Sequence, residues 1–401
     1  MKRAPCRCGR EDGVALILAL LFIVLLTVLV VEFGYETQVE ASFAANQGSA
    51  FEAYLAAKSA VVQGIALLAQ DALADPLQDP SNAEYPEVDT VNTDSAFDIW
   101  FRGQAFEPLN EALMRTSISD ECGKINLNAL LTPSSDGGPM VVRETLKLAL
   151  IELFVWRNPE VEAEPLVDAL IDWLDYDDDD AEEPEGAEND YYSGLENPYT
   201  CKNGPMDSIE ELLLIKGFTP EFYFGNPKSE IEEEQFPLSE FLTVHGDWRG
   251  RINGNTALPL VLAALASAKN GQPIDDNSLG IAREEFDLVH TEQPYAAASE
   301  VGAAFGIVDR RRRGRRSGRG QADPANPADG ESASEELFAV TSNIFRVYGD
   351  GMLGDALVRI EAYVFRTPLD PQVWEGSLPA DAAGTPPPIE PLRILDWKVI
   401  R

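Results

Sequence analysis

The sequence predicts an α+β protein: one long N-terminal helix, partly apolar enough for lipid, carries a small sheet domain into which a large all-α domain is inserted. Three observations lead there. Val14 to Val31 is an unbroken uncharged run. Segments rich in Val, Ile, Phe and Tyr cluster near the end of the chain, at 343–348, 356–366 and 394–400. Between about 136 and 335 the apolar residues recur with helical spacing instead.

The first element follows from length. At roughly 1.5 Å per residue the Val14–Val31 run nearly matches a hydrocarbon core about 30 Å thick. Lys2, Arg3, Arg7 and Arg10 precede it, and Glu32, Glu36 and Glu40 follow, so the positive-inside rule keeps Met1 cytoplasmic and sends the body across the membrane. An ordinary secretory signal fits less well. Its Ala-x-Ala-like cleavage sites would lie around Ala41 to Ala45, about ten residues past the apolar run. The small residue stands instead before the run, at Gly13, after Arg10, Glu11 and Asp12. That order resembles a type IV prepilin leader cut between Gly13 and Val14; a plain uncleaved anchor is the alternative.

The helix is expected to continue, because no proline occurs from Phe33 to Leu73 and Phe51, Tyr54, Leu55, Val61, Val62, Ile65 and Leu68 keep a near-3.6 period. Asp75-Pro76 should stop it. Gly34, Gly48 and Gly64 are candidate bends. Residues 79–117 alternate turn-formers with short apolar segments such as Phe97-Asp98-Ile99-Trp100-Phe101, and read as turns with one or two strands. A motif then occurs twice, as Gly123-Lys-Ile-Asn-Leu-Asn128 and Gly250-Arg-Ile-Asn-Gly-Asn255. We expect turns with Gly123 and Gly250 at unusual backbone angles, and Asn126, Asn128, Asn253 and Asn255 capping the helix that follows.

Helices should cover Leu166–Leu174, a segment opened by a Ser208/Glu211 capping box, and Leu258–Ala268. Seven arginines lie between Arg310 and Arg319 among glycine and serine, a composition expected to be disordered or to act as an arm for anionic lipid or an acidic surface. Gly349-Asp350-Gly351 suits a hairpin connection between the late strands. The expected organisation is a leader at 1–13, a transmembrane and spine helix at 14–78, and a first sheet portion at 79–135. An inserted helical domain at 136–335, including a disordered Arg/Gly-rich segment at 309–333, and closing strands at 336–401 complete it.

Composition limits function. The 401 residues carry a net charge of −37, which excludes general affinity for nucleic acid, since a phosphate backbone must be met by Lys and Arg. Between Arg157 and Lys202 there are 16 acidic residues and no basic one. So many carboxylates call for cations, and hard oxygen donors favour Ca²⁺. Asp175, Asp177 and Asp179 have the spacing that opens an EF-hand loop. Asp180 stands where glycine is required and Gly186 where the bidentate glutamate belongs, so an EF-hand is rejected. A different calcium loop closing through Glu188 or Asp190 and a merely solvated acidic loop both stay open.

Cys6 and Cys8 would leave with the leader. Cys122 and Cys201 would share an oxidising compartment, where an even pair is expected to bridge. No nucleophile elbow, Cys/His pairing or phosphate loop surrounds His245 or His290, so no enzymatic activity is expected. A membrane-anchored calcium-dependent hydrolase is the enzymatic alternative. Glu210 to Pro220 resembles a helix-hairpin-helix, which keeps a pilin-like DNA-uptake component as a further alternative.

Six motifs, taken together, resemble one family. They are Gly13-Val-Ala-Leu16, Asp120-Glu-Cys-Gly-Lys-Ile-Asn-Leu-Asn128, Leu170-Ile-Asp-Trp-Leu-Asp-Tyr-Asp177, Gly186-Ala-Glu-Asn-Asp-Tyr-Tyr192, Asn203-Gly-Pro205 with Glu210-Glu-Leu212, and Gly250-Arg-Ile-Asn-Gly-Asn-Thr-Ala257. In this order they resemble general secretion pathway protein K, a minor pseudopilin of type II secretion systems. The resemblance implies a transmembrane/spine helix with a pseudopilin α/β sheet domain and an inserted all-α domain. It implies cleavage by prepilin peptidase before Val14 with methylation of the new N-terminus, and structural calcium in the acidic loop. It also implies a tip complex with minor pseudopilins I and J on the inner membrane, with pseudopilin H, the major pseudopilin and secreted cargo as further partners. Most pilin-like subunits are expected to carry Glu at mature position five. Here that position is Leu18, which would mark a tip subunit.

Overall fold

The computed structural model describes residues 12–74, 93–134, 140–176, 183–229, 231–307, 332–367 and 392–400. The leader, the Asp75-Pro76 stop, nearly all of the Arg/Gly-rich segment, and Asp177 with Asp179 lie outside the described residues.

Helix α1 runs unbroken from Asp12 to Ala74, as proline-free periodicity requires. Its first half packs on none of the described residues: every side chain from Val14 to Val31 is exposed, and the segment is long and apolar enough to cross a bilayer. The second half packs. Ala53, Ala57, Ala60, Val61 and Leu68 are fully buried against an antiparallel sheet. Burying a Val or Leu side chain contributes about 1.5–3 kcal/mol. The small residues let the helix come close.

Among the described residues the main sheet has five strands, in the order β1 (Glu107–Leu109), β2 (Ala112–Asp120), β9 (Ile344–Leu353), β10 (Ala356–Arg366), β11 (Leu392–Ile400). All neighbours are antiparallel. Leu353 pairs with Ala356, so the β9–β10 turn falls at Gly354-Asp355, where Gly354 has φ +59°. The hairpin expected at Gly349–Gly351 is thus corrected to a continuous strand. The physical reason lies under α1: a Cβ on Gly349 would strike the Ala57 carbonyl and Val61, and one on Gly351 the Ala53 carbonyl. These glycines admit the helix. Asp350 between them points to the opposite face, where Arg115 of β2 and Arg359 of β10 both bind its carboxylate. Gly64, expected as a bend, is likewise a contact point, against Val347 and Thr116.

The strands expected within 79–117 are β1 and the start of β2, and the apolar Phe97–Phe101 segment is a turn in which Trp100, 1% exposed, packs edge-on against Phe345 with ring centres 5.0 Å apart.

The chain leaves the sheet at Asp120 and returns at Ile344. Between lie α2 (Glu144–Arg157), α3 (Ala163–Leu174), α4 (Asn189–Ser193), α5 (Pro220–Phe224), α6 (Pro259–Asn270), α7 (Asp276–Thr291), α8 (Ala298–Ala304) and α9 (Ala333–Leu337). Their core also includes Ile125, Leu127 and Leu130. Helix α6 is buried at every position from Leu260 to Ser267, which its alanine-rich sequence permits, and α2 and α7 pack against it. Short two-residue strands tie the ends together. β4 (Leu131–Thr132) pairs with β5 (Val141–Val142). β3 (Ile125–Asn126) runs parallel to β6 (Leu242–Thr243), and β7 (Ile252–Asn253) parallel to β8 (Phe338–Ala339).

Candidate functional site

The two copies of the Gly-x-Ile-Asn-x-Asn motif build matching clamps. In each, the Ile-Asn pair is a parallel two-residue strand, and the first asparagine accepts from the backbone N–H two residues on: Asn126 from Asn128, Asn253 from Asn255. The second asparagine holds a distant backbone segment by both its groups. Asn128 accepts from Met206 N–H at 2.7 Å and donates to its carbonyl at 2.9 Å; Asn255 does the same with Tyr295, at 2.7 and 3.1 Å. An amide side chain is needed because only it donates and accepts at once. Asn126 caps a 3₁₀ turn at Leu127–Ala129, as expected, but α6 is not capped by its copy: its N-cap is Leu258. Gly250 has the expected positive φ, +75°, whereas Gly123 does not; it is small because Thr256 of the second copy presses on it. The copies also bond directly, Asn253 N–H to the Cys122 carbonyl at 2.8 Å.

Beside the first clamp lies a buried ion group. Glu121, fully buried, receives Lys124 Nζ and Arg346 Nε at 2.9 and 2.8 Å, and the Thr243 hydroxyl. Burial alone would raise its pKa, but Lys124, Arg346 and the hydroxyl outweigh that and hold it at about 2. The charge is permanent across ordinary pH and fastens β2, β9 and the helical domain together.

The acidic loop begins at the end of α3. Asp172, 1% exposed, accepts Glu183 N–H at 3.0 Å and Ala187 N–H at 2.7 Å, drawing the returning chain back to the helix. Gly186 is obligatory there, since the Asp172 carboxylate fills the space a Cβ would take. Lys147 binds Asp168 and Glu183, both at 2.9 Å, and Lys216 donates to the carbonyls of Glu185 and Gly186.

The expected calcium residues divide. Asp175 is the C-cap of α3 and Glu188 the N-cap of α4, so they stand at the two mouths of the segment containing Asp177 and Asp179; Asp190, exposed, is in the first turn of α4.

The expected Cys122–Cys201 bridge is corrected: both thiols are free and buried. They serve different neighbourhoods. Cys122 Sγ donates to Asn343 at the foot of β9 and Cys201 Sγ to the Asp172 carbonyl. Burial pushes the Cys201 thiol up to about 11, with Glu188 and Asp172 adding to it, and pushes Cys122 higher still. The helix-hairpin-helix expectation fails too. Ser208 and Glu211 form the capping box, but on a 3₁₀ segment, Ile209–Leu214, followed after a turn by the five-residue α5. The clamp partners Met206 and Tyr295 carried no sequence signal, because a backbone held by a side chain leaves no mark on its own residue type.

Fold and site define a class: a subunit with one apolar N-terminal helix, laid distally on an antiparallel sheet and interrupted by a clamped helical domain. Within that class, residues 123–224 match the model of the family described as type II secretion system (T2SS), protein K. A curated relative, type II secretion system protein K of Aeromonas hydrophila, is 28% identical over 221 residues, covering 54% of this chain. The match spans 62% of that relative's length. A chain in the crystal structure of the GspK-GspI-GspJ complex from the type 2 secretion system of enterotoxigenic Escherichia coli shares the fold. Its TM-score is 0.55 at 16% identity, over 89% of this chain and 99% of that one.

Proposed function

We propose that this chain is a minor pseudopilin of a type II secretion system, standing at the pseudopilus tip in a complex with minor pseudopilins I and J and priming assembly for export. The observation that carries the reading is the insertion of the protein K domain between β2 and β9 of a sheet that rides on an apolar-headed helix. The helix anchors the chain in the inner membrane, N-terminus cytoplasmic and body periplasmic, following the Lys/Arg excess before Val14. Leu18 leaves α1 without a carboxylate to offer a neighbour's N-terminal amine, which suits an end position. The role is structural, not catalytic. Co-expression with I and J subunits tests it: the three should co-purify from membranes, and this chain should start at Val14 by mass spectrometry. A chain that begins at Met1 and purifies alone would overturn the proposal. Leu18→Glu should impair complex formation or secretion; unchanged assembly would remove the end-position argument.

Calcium is proposed in the acidic loop, with Asp175, Asp177, Asp179, Glu188 and Asp190 as the donor set. The ion would neutralise the loop that Asp172 draws closed. Chelation should lower the melting temperature. Unchanged melting and calcium uptake in the Asp175→Ala, Asp177→Ala double variant would refute the site.

A further inference from the structure

A second set of carboxylates sits where three parts of the molecule meet. Asp71 belongs to the last turn of α1, Asp94 and Asp98 to the turns before β1, and Asp120 to the end of β2; all four are buried. Oxygens of Asp71, Asp94 and Asp98 lie within 4.8 Å of one another. Arg366, closing β10, reaches Asp71 at 2.7 Å and binds Asp94 as well. Asp120 takes the hydroxyls of Ser342 and Thr256, each at 2.5 Å, and the Asn253 amide at 3.1 Å. Ser342 N–H donates to Asp94 at 2.7 Å, the Asp98 carboxylate accepts Ser95 N–H, and the Trp100 indole N–H faces Asp71 and Asp94. The other titratable neighbour of Asp120 is the Cys122 thiol. Spine helix, sheet and second clamp are thus joined through one network.

The charge count decides its behaviour. Among Asp71, Asp94 and Asp120, Arg366 pairs with the first two and no ion pair among the described residues reaches the third, so negative charge is in excess, and an uncompensated buried charge is expelled by taking up a proton.

We propose that this cluster is a proton-linked latch: protonation of its carboxyls fastens the spine helix and the inserted helical domain to the sheet, and proton loss loosens that seam. The direction agrees with the desolvation of each group. Burial raises Asp71 and Asp120 to about 6 and raises Asp94, with Arg366 opposing at Asp71 and Asp94 and the hydroxyls opposing at Asp120. A group raised in the closed state stabilises it below the open-state value and loses that contribution as pH climbs through the closed-state value. Moving from the ordinary 3.8 to about 6, each such carboxyl changes the closed-to-open ratio about four-fold between roughly pH 7.5 and 5.5.

The full chain in detergent micelles, followed by hydrogen exchange corrected for intrinsic rates, tests this. Amides around 116–122, 250–256 and 342–346 should open at least about four-fold less at pH 5.5 than at 7.5, with α2 and α6 unchanged. No change at the seam, or an equal change in α2 and α6, overturns the latch. Asp120→Asn should flatten the seam's pH response, and a full response in that variant also overturns it. Should the variant not fold, calorimetric unfolding of the native chain in two buffers of different ionisation enthalpy reads proton release directly. Release of protons on unfolding near pH 6 supports the latch; none refutes it.

Discussion

The contact of α1 with the sheet rests on glycines, which makes Gly351→Ala a sharp perturbation. A methyl there would meet the Ala53 carbonyl and the Ala57 amide, both backbone atoms of a helix that cannot bend aside as a side chain would. The helix must lift or the strand must bow. Overpacking of this kind costs about 1–3 kcal/mol, and a backbone obstacle places it near the upper end. Lifting α1 would also loosen Ala53, Ala57 and Val61, now fully buried. Gly48→Ala is the matched control: nothing lies within 4 Å of its added Cβ, and Gly to Ala in an exposed helix gains about 1 kcal/mol. Native-state hydrogen exchange of β9 and β10 in the full chain reads both. About 3 kcal/mol corresponds to roughly a 150-fold rise in β9 exchange for Gly351→Ala, while Gly48→Ala leaves β9 unchanged or slower. Equal protection of β9 in Gly351→Ala and the native chain would refute the close helix–sheet contact.

Asp172→Ala leaves two backbone N–H groups without their acceptor and should cost about 3 kcal/mol. In that background Gly186→Ala should become nearly neutral, and additivity of the two in a double-mutant cycle would disprove the closure. Glu121 gives the acid limit. Its folded-state value, about 2, lies below the ordinary 4.5, so its contribution is present above about pH 4.5 and lost as pH falls towards 2. Glu121→Gln should remove that limb from a melting-temperature profile; a profile unchanged below pH 4.5 would contradict it. Non-reducing peptide mapping should return Cys122 and Cys201 as two free thiols, and a linked peptide would contradict the separate surroundings seen for each.

Much of this protein was legible in one dimension because the signals are local. An uncharged run and an absence of proline specify α1, and richness in Val, Ile, Phe and Tyr marks β10 to the residue and β11 to within two, while β9, expected over 343–348, runs on to Leu353. The repeated Gly-x-Ile-Asn-x-Asn motif announced two equivalent turns. It could not announce what they hold, since Met206 and Tyr295 are gripped through backbone groups every residue possesses. The turn residues misled for the same reason. Gly349 and Gly351 look like a hairpin by composition, yet glycine is required there by the approach of a helix nearly 300 residues earlier in the chain. Trp100, apolar and aromatic, has strand character in sequence and serves as a plug in space. An even cysteine count suggested a bridge, but only the fold decides which thiols meet. The sequence alone therefore determined the long apolar N-terminal helix, most of the late strands and the acidic character of the α3–α4 loop, all consequences of local covalent and solvation preferences. Tertiary structure decided the helix–sheet contact, the free thiols and the gathering of Asp71 and Asp94 around Arg366, because burial and the pairing of charges depend on residues that only folding makes neighbours.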